Sequence, residues 1–278
     1  MIIVKETVPF QGATLIPLGD MHLGDTYFTK RSLEKLKGYI DWIKKHPDSR
    51  AFLTGDIFNV ATRISKTSPY ERGFVDDEVT YAVDLLEPIK HQIIGAISGN
   101  HEQRLLEFSN YSLIKELCYK LSDKQHKVVY CGDAALLFLK VGDVKKHISK
   151  TDRKKNKANG GNEYLYHTTT YAGYISHTTG GGSTVGGKMN RVDKLRQIVA
   201  GCDFYVGAHN HMEGAVKTKI YLPDTHKQQI KEVRQIDVDA GSFLEYGGYA
   251  ERAELAPVDI GAPKIIFESK KRSIHISM

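Results

Sequence analysis

The sequence predicts a mixed α/β fold in which two sheets share one domain and helices lie outside them. Three observations carry that expectation. Strands and helices alternate through the first half, strands dominate the second half, and no stretch between them has the composition of an interdomain linker. At 278 residues the chain suits one domain spanning 1–278, and it is long enough to bury a core without disulfide staples.

The elements follow in chain order. Residues 13–18 read as a strand, and 32–45 as a helix with Leu33, Leu36, Ile40 and Ile43 on one stripe. A short strand at 51–54 is followed by a helix at 76–86, which buries Val79, Ala82, Val83 and Leu86. A third strand, 93–98, leads to a helix at 110–121 through Ile114, Leu117, Cys118 and Leu121. Such repetition implies parallel strands joined by right-handed crossovers. Beyond it, strands are expected at 128–130, 134–141, 163–175, 204–207, 216–222, 233–239 and 264–268, with one clear helix at 189–199. The polar stretch 143–162, ending in Asn159-Gly160-Gly161-Asn162, is expected to be an exposed basic insertion.

Composition excludes several classes. With 41% hydrophobic and 26% charged residues the chain is neither disordered nor of low complexity. Its cleanest apolar run, 134–139, is far too short to cross a bilayer, so no membrane role is expected. Lys5 and Glu6 interrupt the opening residues, which argues against a signal peptide. Three scattered cysteines, Cys118, Cys131 and Cys202, suit a reducing compartment and point to a cytoplasmic address. The net charge of +6 is the net charge of residues 145–157 alone, so the rest of the chain is neutral. That lysine run can track a nucleic-acid backbone, but no aromatic residue is interleaved for base stacking, and a solvated insertion is the favoured reading.

Three strands of the first half end alike. Residues 15–18 run into Gly19-Asp20-Met21-His22, 52–54 into Gly55-Asp56-Ile57-Phe58-Asn59, and 93–98 into Gly99-Asn100-His101-Glu102. Each apolar strand stops at a glycine followed at once by an oxygen ligand. Parallel sheets place their sites beyond the carboxyl ends of their strands, so Asp20, Asp56 and Asn100 should converge. Asp20-x-His22 and His209-x-His211 each place two donors on one side of a backbone expected to be extended, and His177 ends another expected strand. Singly, a Gly-Asp pair is most often a turn and a Gly-Asn-His a loop. Three matching strand ends followed by two histidine clusters make a metal site the better account. Oxygen and imidazole without thiolate suit manganese, with iron or zinc as alternatives, and seven ligands suffice for two divalent ions if one carboxylate bridges.

In motif order from Gly19 to His211, the chain resembles the calcineurin-like metallophosphoesterase superfamily. Asp20-Met-His22-Leu-Gly24 and Gly55-Asp56-Ile-Phe look most like its double-strand-break-repair nuclease branch, although Ser176 precedes His177 and Ala208 precedes His209 where the pattern differs. The resemblance implies a four-layered αββα sandwich with two mixed β-sheets. It further implies that Asp20, His22, Asp56 and His211 hold one ion, and that Asp56, Asn100, His177 and His209 hold the other. His101 would bind neither and would stabilise the transition state or protonate the leaving oxygen.

The expected activity is metal-dependent hydrolysis of phosphodiesters by a metal-bridging hydroxide, with DNA or RNA cleavage as its finer form. Two divalent ions, two carboxylates and one hydroxide leave a single positive charge, which a diester neutralises and a monoester dianion exceeds. The alternatives are a phosphomonoesterase acting on nucleotides or phosphoproteins, and a non-catalytic scaffold, the latter disfavoured because every ligand is present. Arg104 is a candidate phosphate clamp. The glycine-rich stretch from Gly180 is read as a connector, with phosphate binding at the following helix N-terminus as the alternative, and the Tyr246-Gly-Gly-Tyr249 segment with Arg252 as lining either the substrate cleft or an oligomer contact.

Overall fold

The computed structural model describes residues 1–61, 74–142, 168–179, 182, 184–252 and 254–278. In chain order they form β1 (Ile2–Val8), β2 (Gly12–Leu18), α1 (Lys30–Lys45), β3 (Ser49–Leu53), α2 (Val75–Leu86), β4 (Ile93–Ala96), α3 (Asn100–Ser109) and α4 (Leu113–Leu121). There follow β5 (Val129–Tyr130), β6 (Ala134–Val141), β7 (Thr169–His177), α5 (Val185–Asp193), β8 (Phe204–Ala208), β9 (Glu213–Asp224), β10 (Gln229–Ala240), α6 (Tyr249–Arg252), β11 (Lys264–Glu268) and β12 (Ile274–Ser277).

Two six-stranded sheets result, ordered β12-β11-β2-β3-β4-β5 and β1-β6-β7-β8-β10-β9. Both are mixed. The first is parallel from β2 to β5, with β11 antiparallel to β2; the second combines parallel β7–β8–β10 with antiparallel β6–β7 and β9–β10. Three apolar clusters define the layers. Leu36, Ile40, Ile43, Val79, Ala82, Ile114 and Leu117 pack helices α1, α2 and α4 on the outer face of the first sheet. Leu15, Phe52, Ile94, Leu137, Tyr171, Phe204 and Val238 fill the space between the sheets. Val192, Leu195, Tyr174 and Tyr205 seat α5 and the turn after it on the outer face of the second. The architecture is a four-layered αββα sandwich with two mixed sheets, as expected. Burial of both faces explains why β2 and β4 are almost wholly apolar and why β3 is apolar from Ala51 onward.

Several elements depart from the sequence expectation. Helix α3 takes residues that pattern analysis passes over, because the only side chains it buries are His101 and Glu102, so it shows no apolar stripe. Asn110 ends it in the left-handed conformation, φ 56°, and the next helix therefore starts at Leu113 and not at 110. Strands β1 and β12 were also missed, since both carry exposed residues between their apolar ones. Helix α5 begins earlier than expected, at an N-cap in which Thr184 Oγ1 accepts from Gly187 N, and it tightens into a 3₁₀ turn at Lys194–Gln197. Strands β9 and β10 run twelve residues each, and their distal half stands clear of the core as an exposed ribbon. The expected basic insertion at 143–162 lies outside the described residues, as do Gly180, Gly181 and Ser183.

Cys118, Cys131 and Cys202 are free and buried, and burial pushes their thiols up to about 12, about 11 and about 11. No helix among the described residues is long and apolar enough to cross a membrane.

Candidate metal centre

The loops after β2 and β3 are laced together through their backbones. Asp20 N donates to Gly55 O at 2.9 Å, Met21 N and His22 N donate to Asp56 O at 2.9 and 3.0 Å, and Leu23 N donates to Ile57 O at 2.9 Å. Glu102 ties in the loop after β4. Its buried carboxylate accepts from Gly99 N at 2.8 Å, Asp56 N at 3.0 Å and Phe58 N at 2.9 Å. Glycine is required where these loops touch. Gly55 has φ 90° and a side chain there would fall 2.6 Å from Gly99 N, while one at Gly99 would overlap the Asp56 amide and carboxylate.

The second sheet brings the remaining donors. His177 ends β7, and His209 and His211 follow directly on β8. The Asp20-x-His22 and His209-x-His211 backbones are not extended, contrary to expectation. Asp20, His22, His209 and His211 have φ of 46°, 48°, 78° and 51°, all left-handed. Each pair is aimed inward by a tight turn and not by strand alternation.

All the candidate ligands meet. His211 Nε2 is 3.2 Å from Asp20 Oδ1 and 3.1 Å from His22 Nε2; His22 Nε2 lies 3.9 Å from both Asp20 Oδ1 and Asp56 Oδ2. His177 Nε2 is 3.3 Å from Asp56 Oδ2 and 3.1 Å from Asn100 Oδ1. Donor atoms of Asp20, His22 and His211 lie within 4.8 Å of one another, and so do those of Asp56, His177 and His209. Asp56 stands between the two groups. His101 belongs to a third such group, with His22 and Asp56.

Hydrogen bonds fix two of the imidazoles. His177 Nδ1 donates to Thr54 O at 2.9 Å, which leaves Nε2 facing Asp56 and Asn100. His101 Nδ1 donates to Asn59 O at 2.6 Å, leaving its Nε2 as the nitrogen free to act at the site. Arg104 Nη1, 3.3 Å from the same protonated Nδ1, therefore brings charge and not a hydrogen bond to His101. Asn59 was read as part of a motif; its carbonyl is what orients His101.

The cluster is electrostatically frustrated on its own. Burial drives the pKa values of His22, His101 and His209 down, reinforced at His22 by His101 and at His209 by His177. At His177 burial acts the same way but Asp56 outweighs it, raising the imidazole to about 10; at His211 Asp20 does likewise, also with a net rise. Burial opposes ionisation of Asp56, yet His177 and His101 hold its pKa well below the usual range. Burial and Asp56 push Glu102 up to about 7. Among the described residues, buried Asp20 Oδ1, His22 Nδ1 and His209 Nδ1 have no well-formed hydrogen bond, and two imidazole nitrogens face each other across 3.1 Å. Inward-facing carboxylate and imidazole atoms that cannot satisfy one another are what divalent cations satisfy, and a set of oxygen and nitrogen donors without sulfur fits manganese, iron or zinc.

The sequence motifs point to the candidate ligands but give no role to Glu102. Its position three residues after Gly99 is the spacing of a helix capping residue, and that signal was available. The parts played by Asn210 and Asp239 carried no such signal.

Fold and site together define an αββα protein with an oxygen–imidazole cluster at the seam of its two sheets. No protein-family model matches the chain, and no curated protein matches it. Among solved structures it is similar to a calcineurin-like phosphoesterase, YfkN from Bacillus subtilis, over 97% of this chain and 89% of that one. The two share 11% sequence identity and superpose with a TM-score of 0.38, a likeness that decides nothing about activity.

Proposed function

We propose that the protein is a calcineurin-like metallophosphoesterase that hydrolyses phosphodiesters, with cleavage of DNA or RNA as the finer form of that activity. The observation that carries the reading is the pair of donor groups, Asp20–His22–His211 and Asp56–His177–His209, each with two buried members and one half-buried histidine, with Asp56 between them. Asp20, His22, Asp56 and His211 would hold one cation; Asp56, Asn100, His177 and His209 would hold the other. When bound, two divalent cations supply charge stabilisation for phosphoryl oxygens and make water acidic enough to attack near neutral pH.

The chain's own residues do the rest. Asp20 and Asp56 set the charge of the pocket: with two dications and a deprotonated attacking water it keeps about one positive charge, which a diester monoanion matches better than a monoester dianion. His101 is held in one tautomer by Asn59, so Nε2 is the atom that carries a proton to the leaving oxygen. Burial and Arg104 disfavour its charged form while Asp56 favours it, so the three together set when that proton is held. Arg104, beside His101, would hydrogen-bond a phosphate oxygen of the substrate.

The test is hydrolysis of a bis-aryl phosphate with added Mn²⁺. His101→Asn should lower kcat by about 10²–10⁴-fold while metal content stays at the wild-type level, and Asp56→Asn should lose both. Wild-type rates in Asp56→Asn would overturn the reading. Faster hydrolysis of the mono-aryl ester, with single- and double-stranded DNA and RNA left intact, would replace the diester activity by a phosphomonoesterase.

A further inference from the structure

The turn carrying His209 and His211 is held in its middle by a residue that is not itself a ligand. In an extended strand Asn210 would point away from both histidines and be free to vary. Here the residues on either side of it are left-handed, a conformation that persists in non-glycine residues only where the surroundings enforce it. The ends of the turn are fastened by ordinary contacts: Thr178 Oγ1 donates to Ala208 O at 2.7 Å, His209 N donates to Asp20 Oδ2 at 3.0 Å, and Gly241 N donates to Met212 O at 3.1 Å. Its centre is fastened by the Asn210 side chain, whose Nδ2 donates to Asp239 Oδ2 at 2.8 Å and reaches Lys188 O at 3.4 Å.

Asp239 is fully buried near the end of β10. Its partners across the sheet are Gly207 of β8 and Gly214 of β9, which offer no side chains of their own. The space over those two glycines is taken by Val192, Thr178, Met212 and Met189. Among the described residues, Asp239 Oδ1 and Asn210 Oδ1 have no well-formed hydrogen bond. A carboxylate in such a place is costly to bury and adds nothing to packing that a leucine would not. Among the described residues, the side chain that donates a hydrogen bond to it is that of Asn210. Outer groups that orient histidine ligands commonly govern metal affinity as strongly as this.

Resting on the metal reading above, we propose that Asn210 is a positioning residue, clamped by Asp239, that sets His209 and His211 in the geometry needed to hold both cations. The hydrogen bond and not the charge of Asp239 is what matters. Asp239→Asn still offers Asn210 an acceptor, whereas Asn210→Ala or Asp239→Ala removes the hydrogen bond that fastens the centre of the turn.

Titration of the chelator-treated full chain with Mn²⁺, and the visible spectrum of the Co²⁺-loaded protein, test this. Asn210→Ala and Asp239→Ala should each weaken Mn²⁺ binding by about 10–100-fold and alter the Co²⁺ spectrum, while Asp239→Asn recovers most of the affinity and the wild-type spectrum. Should Asn210→Ala fail to fold, Asn210→Ser, too short to reach Asp239, takes its place. Wild-type affinity and spectrum in Asn210→Ala, or equal loss in Asp239→Asn and Asp239→Ala, overturns the proposal and leaves the metal reading standing. Absence of Mn²⁺ uptake by the wild type overturns both.

Discussion

Asp239 also gives the folded state a pH dependence of its own. Burial is the main reason its carboxyl is pushed up to about 7; Asp20 adds to the effect, and the Asn210 amide and Lys188 oppose it. An unfolded aspartate loses its proton near 3.8. Between those values the folded chain holds a proton the unfolded chain has lost, so stability from this group falls as pH rises through that window. Removing the ionisable group removes the fall. In chelator-treated protein, Asp239→Asn should melt close to wild type near pH 4 and progressively above it toward pH 7 and beyond. An offset between the two melting temperatures that stays constant with pH would contradict this. Asp239 could not be assigned from sequence, and at Glu102 the sequence signals only the cap on Gly99, because the rest of their work is done on groups far away in the chain. Glu102 acts on Asp56 N and Phe58 N, more than forty positions earlier. The metal-ligand candidates, in contrast, stand in short motifs whose chemistry is local.

Among the elements, α1 shows how cap and stripe divide the energy of one helix. Thr29 Oγ1 accepts from Arg31 N at 3.1 Å and Ser32 N at 3.4 Å, and its loss in Thr29→Ala should cost about 1 kcal/mol. Leu36, fully buried under the first sheet, should cost about 2–5 kcal/mol when cut back to alanine. Denaturant unfolding that ranks the two in the opposite order would show that the helix is held by its end and not by its buried face. That buried stripe is why α1, α2 and α4 were legible from sequence. Helix α3 was not legible, since its buried side chains, His101 and Glu102, serve the site and not the core. The glycines at 55 and 99 were legible as turn signals, but the reason for the second is close approach and not a left-handed backbone.

For the whole molecule, the proposed centre joins two sheets that are otherwise held by an apolar core. His177 reaches from the second sheet to Thr54 and Asp56 of the first, and His211 reaches to Asp20. Cations bound only by the folded state would therefore stabilise the entire sandwich. Mn²⁺ at one hundred times its dissociation constant should add about 2.7 kcal/mol, seen as a rise in melting temperature that Asp56→Asn abolishes. An equal rise in that variant would place the stabilising ion elsewhere.

The sequence by itself determined which atoms are offered. Strand ends carrying Asp20, Asp56 and Asn100, and histidines in x-spaced pairs, are local patterns, and local patterns follow from strand period and turn chemistry. Only the tertiary structure decided how those atoms are aimed. Packing Leu15, Phe52, Ile94, Leu137 and Phe204 between the sheets brings the strand ends of both to one seam. The left-handed turns at Asp20, at Asp56 and at His209–His211 are held by partners distant in the chain, respectively Ser242, Glu102 and, through Asn210, Asp239. No window of sequence contains those contacts, because the energy that fixes an unfavourable backbone comes from neighbours that only folding supplies.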